Sequence, residues 1–157
     1  MNKWSVEDEL AIRNLYAACS FAADDYDADA YADCFTADAV LKVENSKFFG
    51  DLVASGGAPF ANALGEIAGS KNIHAFLSFL GQFKIPSLHI ACNFLIKRLE
   101  GDVAETCAVN AAFINGSMEV YARYVDKVAR CPDGCWRFSE RREIFHYERA
   151  NKSFGNE

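Results

Sequence analysis

The sequence predicts an α+β fold, with helices gathered on one face of an antiparallel sheet. Two observations predict it. Apolar residues recur at helical spacing in the first half of the chain, and from Ser87 onward they form long strand-like runs separated by turn residues. Helices followed by strands are typical of α+β domains. The 157 residues, 51% of them hydrophobic, fit one domain over 1–157 that buries roughly 70% of its unfolded surface.

The first two elements are predicted to be helices. Ser5, with Asp8 three residues later, has the spacing of a capping box, and helical periodicity continues to about Ala23. The expected apolar stripe consists of Leu10, Ile12, Leu15, Tyr16 and Cys19. Asp27 is expected to cap a second, shorter helix to Phe35, and a strand to begin near Ala39.

The segment 44–63, "ENSKFFGDLVASGGAPFANA", breaks the pattern. An irregular loop of this length in a compact domain is often a lid or binding loop, and the apolar side chains within it require cover. "LGEIAG" then predicts a short strand, and Ser70 is expected to cap a third helix to about Leu80.

The rest of the chain is predicted to form four strands. They span 87–99, 103–114, 119–129 and 135–147, and the turn signals "EGD", "NGS" and "CPDG" separate them.

Composition excludes several function classes. A net charge of −6 disfavours nucleic-acid binding, and glutamates interleave with the basic residues near the C-terminus. No apolar run approaches the ~20 residues of a membrane span, and the first residues do not resemble a signal peptide, so a cytoplasmic protein is expected. The six cysteines are interpreted as reduced thiols. "CPDGC" lacks the second ligand pair that a zinc site needs, so no metal is expected.

One strand, "LHIACN", contains two polar residues in an otherwise apolar run. Alternation places His89, Ala91, Asn93 and Leu95 on one face and Leu88, Ile90, Cys92, Phe94 and Ile96 on the other. The first face is expected to line a cavity, and the second to need cover. A buried imidazole needs partners, and the first helix ends with Asp24 and Asp25. The alternative is a core histidine satisfied elsewhere, with both aspartates in a loop.

Three motifs, in this order along the chain, resemble the SnoaL-like branch of the nuclear-transport-factor-2-like superfamily. The first is the stretch from Leu15 and Tyr16 through Asp24 to Asp38. The second is the His-x-x-x-Asn strand at "LHIACN". The third is the hairpin "YARYVDKVARCPDGCWRFSERR". The resemblance implies a cone in which N-terminal helices pack on a strongly curved, mostly antiparallel sheet around a deep apolar pocket.

The resemblance also implies a site. Members similar to scytalone dehydratase, bile-acid dehydratase and lindane dehydrochlorinase use an Asp–His dyad, which here falls on Asp24 and His89. His89 would abstract a proton from a carbon, while Asp24 orients the imidazole and stabilises its cation. Substrate contacts are expected from Asn93, Arg141, Tyr16, Tyr31 and Phe145. Arg141 would hold an oxyanion if it faces inward. An outer ion pair with Glu140 or Glu143 is the alternative.

The leaving-group acid of these relatives is missing from its usual place. Ala23 precedes Asp24 where scytalone dehydratase relatives have tyrosine, and Cys19 stands at the positions of the lysine or tyrosine of the other two. Tyr26, Tyr31, Tyr121 and Tyr124 are the substitutes considered.

Two functions remain open. One is a cofactor-free lyase or isomerase acting on a small hydrophobic cyclic substrate. The other is a non-catalytic pocket protein that binds an apolar ligand or a partner, with Asp24 in solvent. The resemblance and the apolar outer face also predict a homo-oligomer, dimer or trimer, through Ile90, Cys92 and Phe94.

Overall fold

Helices do precede a sheet, as the sequence predicts. The structure is a computed structural model that describes residues 5–149. Its elements in chain order are α1 (Val6–Asp24), α2 (Ala28–Asp33), β1 (Phe35–Glu44), α3 (Lys47–Ala54), β2 (Glu66–Ala68), α4 (Ser70–Gly81), β3 (Ser87–Glu100), β4 (Val103–Ile114), β5 (Ser117–Arg130) and β6 (Trp136–Glu148). The α+β prediction is confirmed.

The six strands form one mixed sheet in the order β2-β1-β6-β5-β4-β3. Neighbours are antiparallel except β1 and β6, which run parallel. Register shifts interrupt β3 at two places and the β5–β6 pair at two more. Because bulges bend strands and increase their twist, the sheet curls, and the helices occupy its concave side.

Local sequence accounts for most helix starts. The Ser5 hydroxyl accepts the Asp8 N–H at 3.0 Å, and Asp27 accepts the Ala30 N–H at 3.0 Å. The predicted cap at Ser70 is wrong: Ser70 is the first residue of α4, and Gly69, at φ 83°, precedes it without a side-chain cap bond.

Helix α3 lies within the segment that the sequence indicated as an irregular loop. Ser46 caps it by accepting the Phe49 N–H at 3.1 Å. The Glu148 carboxylate, from the far end of the chain, accepts the Ser46 hydroxyl at 2.8 Å and the Lys47 N–H at 2.6 Å. This second partner is tertiary, so no local pattern indicates it.

The core lies between α1 and the concave face. Ile12, Leu15, Tyr16, Cys19 and Ala22 are buried along α1, whereas Leu10, predicted in the stripe, is exposed. The Tyr16 ring packs edge-on against Phe94 at 4.9 Å and Phe138 at 5.0 Å between centroids. All six cysteines are free. Within residues 5–149, no helix is both long and apolar enough to cross a bilayer.

Candidate active site

A cavity of about 840 Å³ lies between the concave face of the sheet and the helices. This volume is in the range of small-molecule sites. Its wall is mostly apolar and aromatic, with contributions from α1, α2, α3, α4 and every strand except β2. Aromatic side chains on this wall include Tyr31, Phe48, Phe49, Phe76, Tyr124 and Phe145. The predicted lining positions Tyr31 and Phe145 therefore face the cavity.

His89 lies on the cavity wall, and Asp24 lies directly behind it. The Asp24 carboxylate is 2.6 Å from His89 Nδ1. It also accepts the His89 backbone N–H at 2.9 Å and 3.1 Å, through its two oxygens. Asp24 is the last residue of α1 and His89 the third of β3, so the fold brings together side chains 65 positions apart.

The contact defines what the imidazole can do. A carboxylate accepts from Nδ1–H, which leaves Nε2 with its lone pair in the neutral ring. Both side chains are largely shielded, with 26% of His89 and 12% of Asp24 exposed. The alternative of Asp24 in solvent does not match this geometry. The pair can accept a proton at Nε2 and stabilise the resulting cation.

Asn93 does not share the cavity face with His89, contrary to the alternation prediction. It is the bulge residue of β3, at φ 51°, where the register shifts between Cys92 and Leu95. The extra residue reverses the side chains beyond it. Asn93 and Leu95 are therefore exposed, while Phe94, predicted on the outer face, packs on Tyr16.

Arg141 faces inward on the cavity wall, but its charge already has a partner. Its Nη2 is 3.0 Å from Asp126 Oδ2, and neither side chain is appreciably exposed. The guanidinium also lies 3.8 Å from the Phe138 ring centroid and 4.1 Å from that of Tyr124. The alternative of an outer ion pair with Glu140 or Glu143 does not match this geometry, because Arg141 pairs with Asp126.

Tyr16 does not line the cavity. Its hydroxyl donates to Asp126 Oδ2 at 2.5 Å and lies 2.8 Å from the Thr106 hydroxyl. Burial, chiefly, and the Asp126 charge raise the pKa of Tyr16. The predicted substrate contact is corrected to a structural role: Tyr16 supports the Asp126–Arg141 ion pair.

Two further polar residues on the wall were missed by sequence reasoning. Glu143 lies on β6 between Arg141 and Phe145, on the same face. Burial raises the pKa of Glu143, and the charges of Arg141 and His89 oppose this only in part. Strand parity could have found it, because Glu143 alternates with Arg141 and Phe145, which were both candidate substrate contacts.

Asn110 on β4 is the second missed residue. It lines the cavity, is 4% exposed, and its Oδ1 is buried without a hydrogen-bond partner among the described residues. An unpaired buried acceptor costs about 1–3 kcal/mol. One polar residue in the otherwise small and apolar run "CAVNAAFI" was the available signal.

The segment predicted as a lid does contribute to the wall. Phe48 and Phe49 of α3 line the cavity, beside Phe76 of α4. Phe49 and Phe76 pack edge-on with centroids 5.8 Å apart. Within residues 5–149, no group of three or more His, Cys, Asp or Glu side chains is arranged to hold a metal ion.

Comparison with known proteins relates this architecture to others. The family model described as a SnoaL-like domain matches residues 4–142. No curated protein sequence matches the chain significantly.

Solved structures give the same fold. A putative scytalone dehydratase from Novosphingobium aromaticivorans has 19% identity and a TM-score of 0.70, with 97% of each chain covered. LinA has 16% identity and a TM-score of 0.70, covering 97% of this chain and 95% of its own. A putative aromatic ring hydroxylase from N. aromaticivorans is 26% identical, with a TM-score of 0.67 and 92% of each chain covered.

Proposed function

Because the chain belongs to the SnoaL-like family, we propose that it is a cofactor-free lyase or isomerase of the dehydratase kind. His89 is the base, and Asp24 holds it. The substrate is a small hydrophobic cyclic molecule with a carbon acidified by a neighbouring carbonyl. The similarity to a putative scytalone dehydratase favours this reaction class.

One observation carries the proposal, namely the 2.6 Å contact between Asp24 and His89 Nδ1 at the wall of an apolar cavity. It fixes the tautomer in which Nε2 is the base. In the low-polarity cavity, the Asp24 carboxylate stabilises the imidazolium that forms on proton transfer. Such positioned groups contribute typically about 10²–10⁴-fold to rate.

The experiment measures proton abstraction without any leaving group. 3-Phenylcyclohexanone is incubated with the protein in D₂O, and deuterium incorporation at the α-carbons is followed by NMR. We expect exchange above the buffer rate, with a loss of about 10²–10⁴-fold in His89→Gln and a comparable loss in Asp24→Asn.

The chain offers a matched control. His74 and Asp29 form a second Asp–His pair, 3.2 Å apart and outside the cavity, in which Asp29 is almost fully exposed. His74→Gln is expected to leave exchange unchanged. If His89→Gln exchanged as fast as the wild type, His89 would not be the base.

A further inference from the structure

Glu143 is a carboxyl group on the cavity wall whose chemistry the dyad does not use. It lies on β6 and His89 on β3, with β5 and β4 between them. Three strand spacings amount to roughly 14 Å along the sheet. Both side chains point into the concave side, and they interact electrostatically. A ligand in the cavity therefore lies between an imidazole and a carboxyl group.

Among the carboxylates on the wall, Glu143 is the one without a protein partner in the described part of the chain. Glu119 pairs with Arg149 at 3.0 Å, and Glu148 caps α3. Glu143 makes no hydrogen bond or ion pair with residues 5–149. Arg141, its neighbour on the same face, is paired with Asp126 instead.

The environment favours the protonated form of this carboxyl group. Burial raises the pKa of Glu143, because the anion loses its water. A general acid works best when its pKa is near the working pH. A carboxyl group whose pKa is raised moves towards that condition.

The tyrosines considered from the sequence are weaker candidates. Tyr121 is 42% exposed and lies outside the cavity wall. The Tyr26 hydroxyl donates to the Ile85 carbonyl at 2.6 Å. Tyr31 and Tyr124 do line the cavity, but burial raises the pKa of both well above their ordinary value.

We infer that Glu143 is the acid that protonates the leaving group, and that the leaving group is therefore a hydroxyl. This inference rests on the proposed function. His89 Nε2 takes the proton on the α-carbon, and the electron pair forms the carbon–carbon double bond. The bond from the β-carbon to oxygen breaks, and the Glu143 O–H proton passes to that oxygen, which departs as water. Imidazolium and carboxylate then return to their starting forms by proton exchange through water.

A hydroxyl leaving group needs protonation by this acid, whereas a better leaving group does not. Hydroxide is the conjugate base of water, which is a very weak acid, so its unassisted departure is slow. Halide or nitrophenolate leaves as a stable anion. The partnerless acid thus indicates a dehydratase acting on a β-hydroxy ketone.

The test compares two probes that give the same product. 3-Hydroxy-5-phenylcyclohexanone and 3-(4-nitrophenoxy)-5-phenylcyclohexanone both eliminate to 5-phenylcyclohex-2-enone, which is followed by ultraviolet absorbance. For Glu143→Gln we expect kcat on the hydroxy probe to fall about 10²–10⁴-fold and kcat on the nitrophenoxy probe to change less than threefold. Retained turnover of the second probe shows that the variant is folded. Glu140→Gln, on the same strand and paired with Lys127, is the control and should match the wild type on both.

The outcomes separate the two proposals. His89→Gln is expected to lose turnover of both probes, because proton abstraction is common to them. Equal losses on both probes in Glu143→Gln, or none on the hydroxy probe, would overturn the role of Glu143 and leave the dyad standing. Wild-type protein that neither exchanges α-protons nor eliminates either probe would overturn the proposed function and Glu143 with it.

Discussion

Asn110 has a buried side-chain amide whose oxygen accepts no hydrogen bond from the described residues. Within the proposed function, we assign it the substrate contact predicted for Asn93, because it lines the cavity on β4 close to Ala112, the cross-strand partner of His89. Its oxygen can accept a hydrogen bond from a substrate hydroxyl. The free protein then carries an unpaired acceptor whose partner is the ligand.

This assignment predicts opposite effects on stability and binding for one substitution. Asn110→Leu removes the unpaired oxygen at similar volume, so we expect the free energy of unfolding to rise by about 1 kcal/mol. The dissociation constant for 3-phenylcyclohexanol, whose hydroxyl can donate to Asn110 Oδ1, should rise about tenfold, corresponding to the loss of one hydrogen bond. Urea unfolding and calorimetric titration measure the two.

A second variant provides a control for the change in stability. Asn110→Asp keeps the shape but buries a charge, so it should lower stability. If Asn110→Leu destabilised the protein and bound the alcohol normally, the amide would have a structural role instead.

For individual residues, the sequence indicated Asp24 and His89 but not the side chains that surround them. The position of His89 in an apolar strand and of Asp24 at a helix end could be read locally. Asn93 could not, because a single bulge residue moves the side chains that follow it to the other face, until a second register shift between Ile96 and Arg98. Arg141 was predicted inward, but its partner Asp126 lies on a neighbouring strand and has no local signature.

Among the elements, α1 is anchored at both ends. Asp24 holds its C-terminal end to β3, and Asp8 holds its N-terminal end to the β5–β6 hairpin. Asp8 Oδ1 accepts the Trp136 indole N–H at 3.1 Å and Arg130 Nη2 at 2.5 Å. Burial acts to raise the pKa of Asp8, but hydrogen bonds from Trp136, Ser5 and Arg130 outweigh it and hold the pKa below its ordinary value.

The Asp8 anchor should make stability depend on pH. A carboxyl whose folded pKa is depressed stabilises the fold above its unfolded pKa of about 3.9, and this contribution is lost as the pH falls through the folded pKa. We expect Asp8→Asn to lower the free energy of unfolding by about 1–2 kcal/mol at pH 7. The difference from the wild type should shrink as the pH falls from 5 towards 3, and denaturant titration at several pH values measures it.

Glu9→Gln serves as the comparison for this experiment. Glu9 pairs with Arg13 on the exposed face of the same helix, and such pairs contribute less than about 0.5 kcal/mol. A difference between Asp8→Asn and the wild type that stayed constant across the pH range would show that Asp8 acts without its charge.

Helix α3 shows where element prediction from the sequence reached its limit. The apolar residues of the segment were expected to need cover, and Phe49 and Phe60 are indeed buried. The helix itself was missed because it has only eight residues, one of them Gly50, and a glycine pair follows it closely. Its N-terminus depends on Glu148, about 100 residues away along the chain.

For the molecule as a whole, the outer face of β3 remains apolar and exposed. Leu88, Ile90 and Leu95 are each more than 40% exposed, on a strand at the edge of the sheet. Leu95 lies on this outer face, where the sequence predicted Phe94. We still propose that a second copy covers this face.

Sedimentation equilibrium tests this proposal. The wild type is expected to be a dimer or trimer, and the double variant Leu88→Glu, Ile90→Glu should shift it to monomer, because two carboxylates would be buried at the contact. Leu64→Glu, at an exposed leucine just before β2, which is the opposite edge of the sheet from β3, should leave the mass unchanged. A monomeric wild type would contradict the proposal.

The parallel pairing of β1 with β6 affects the order in which the protein folds. It joins Glu44 to Ile144, partners 100 residues apart, so closing it requires a late and entropically costly encounter. β6 also carries Arg141, Glu143 and Phe145. During synthesis, the nascent chain therefore lacks this wall of the cavity until β6 has left the ribosome, so we expect the cavity to form only after that point.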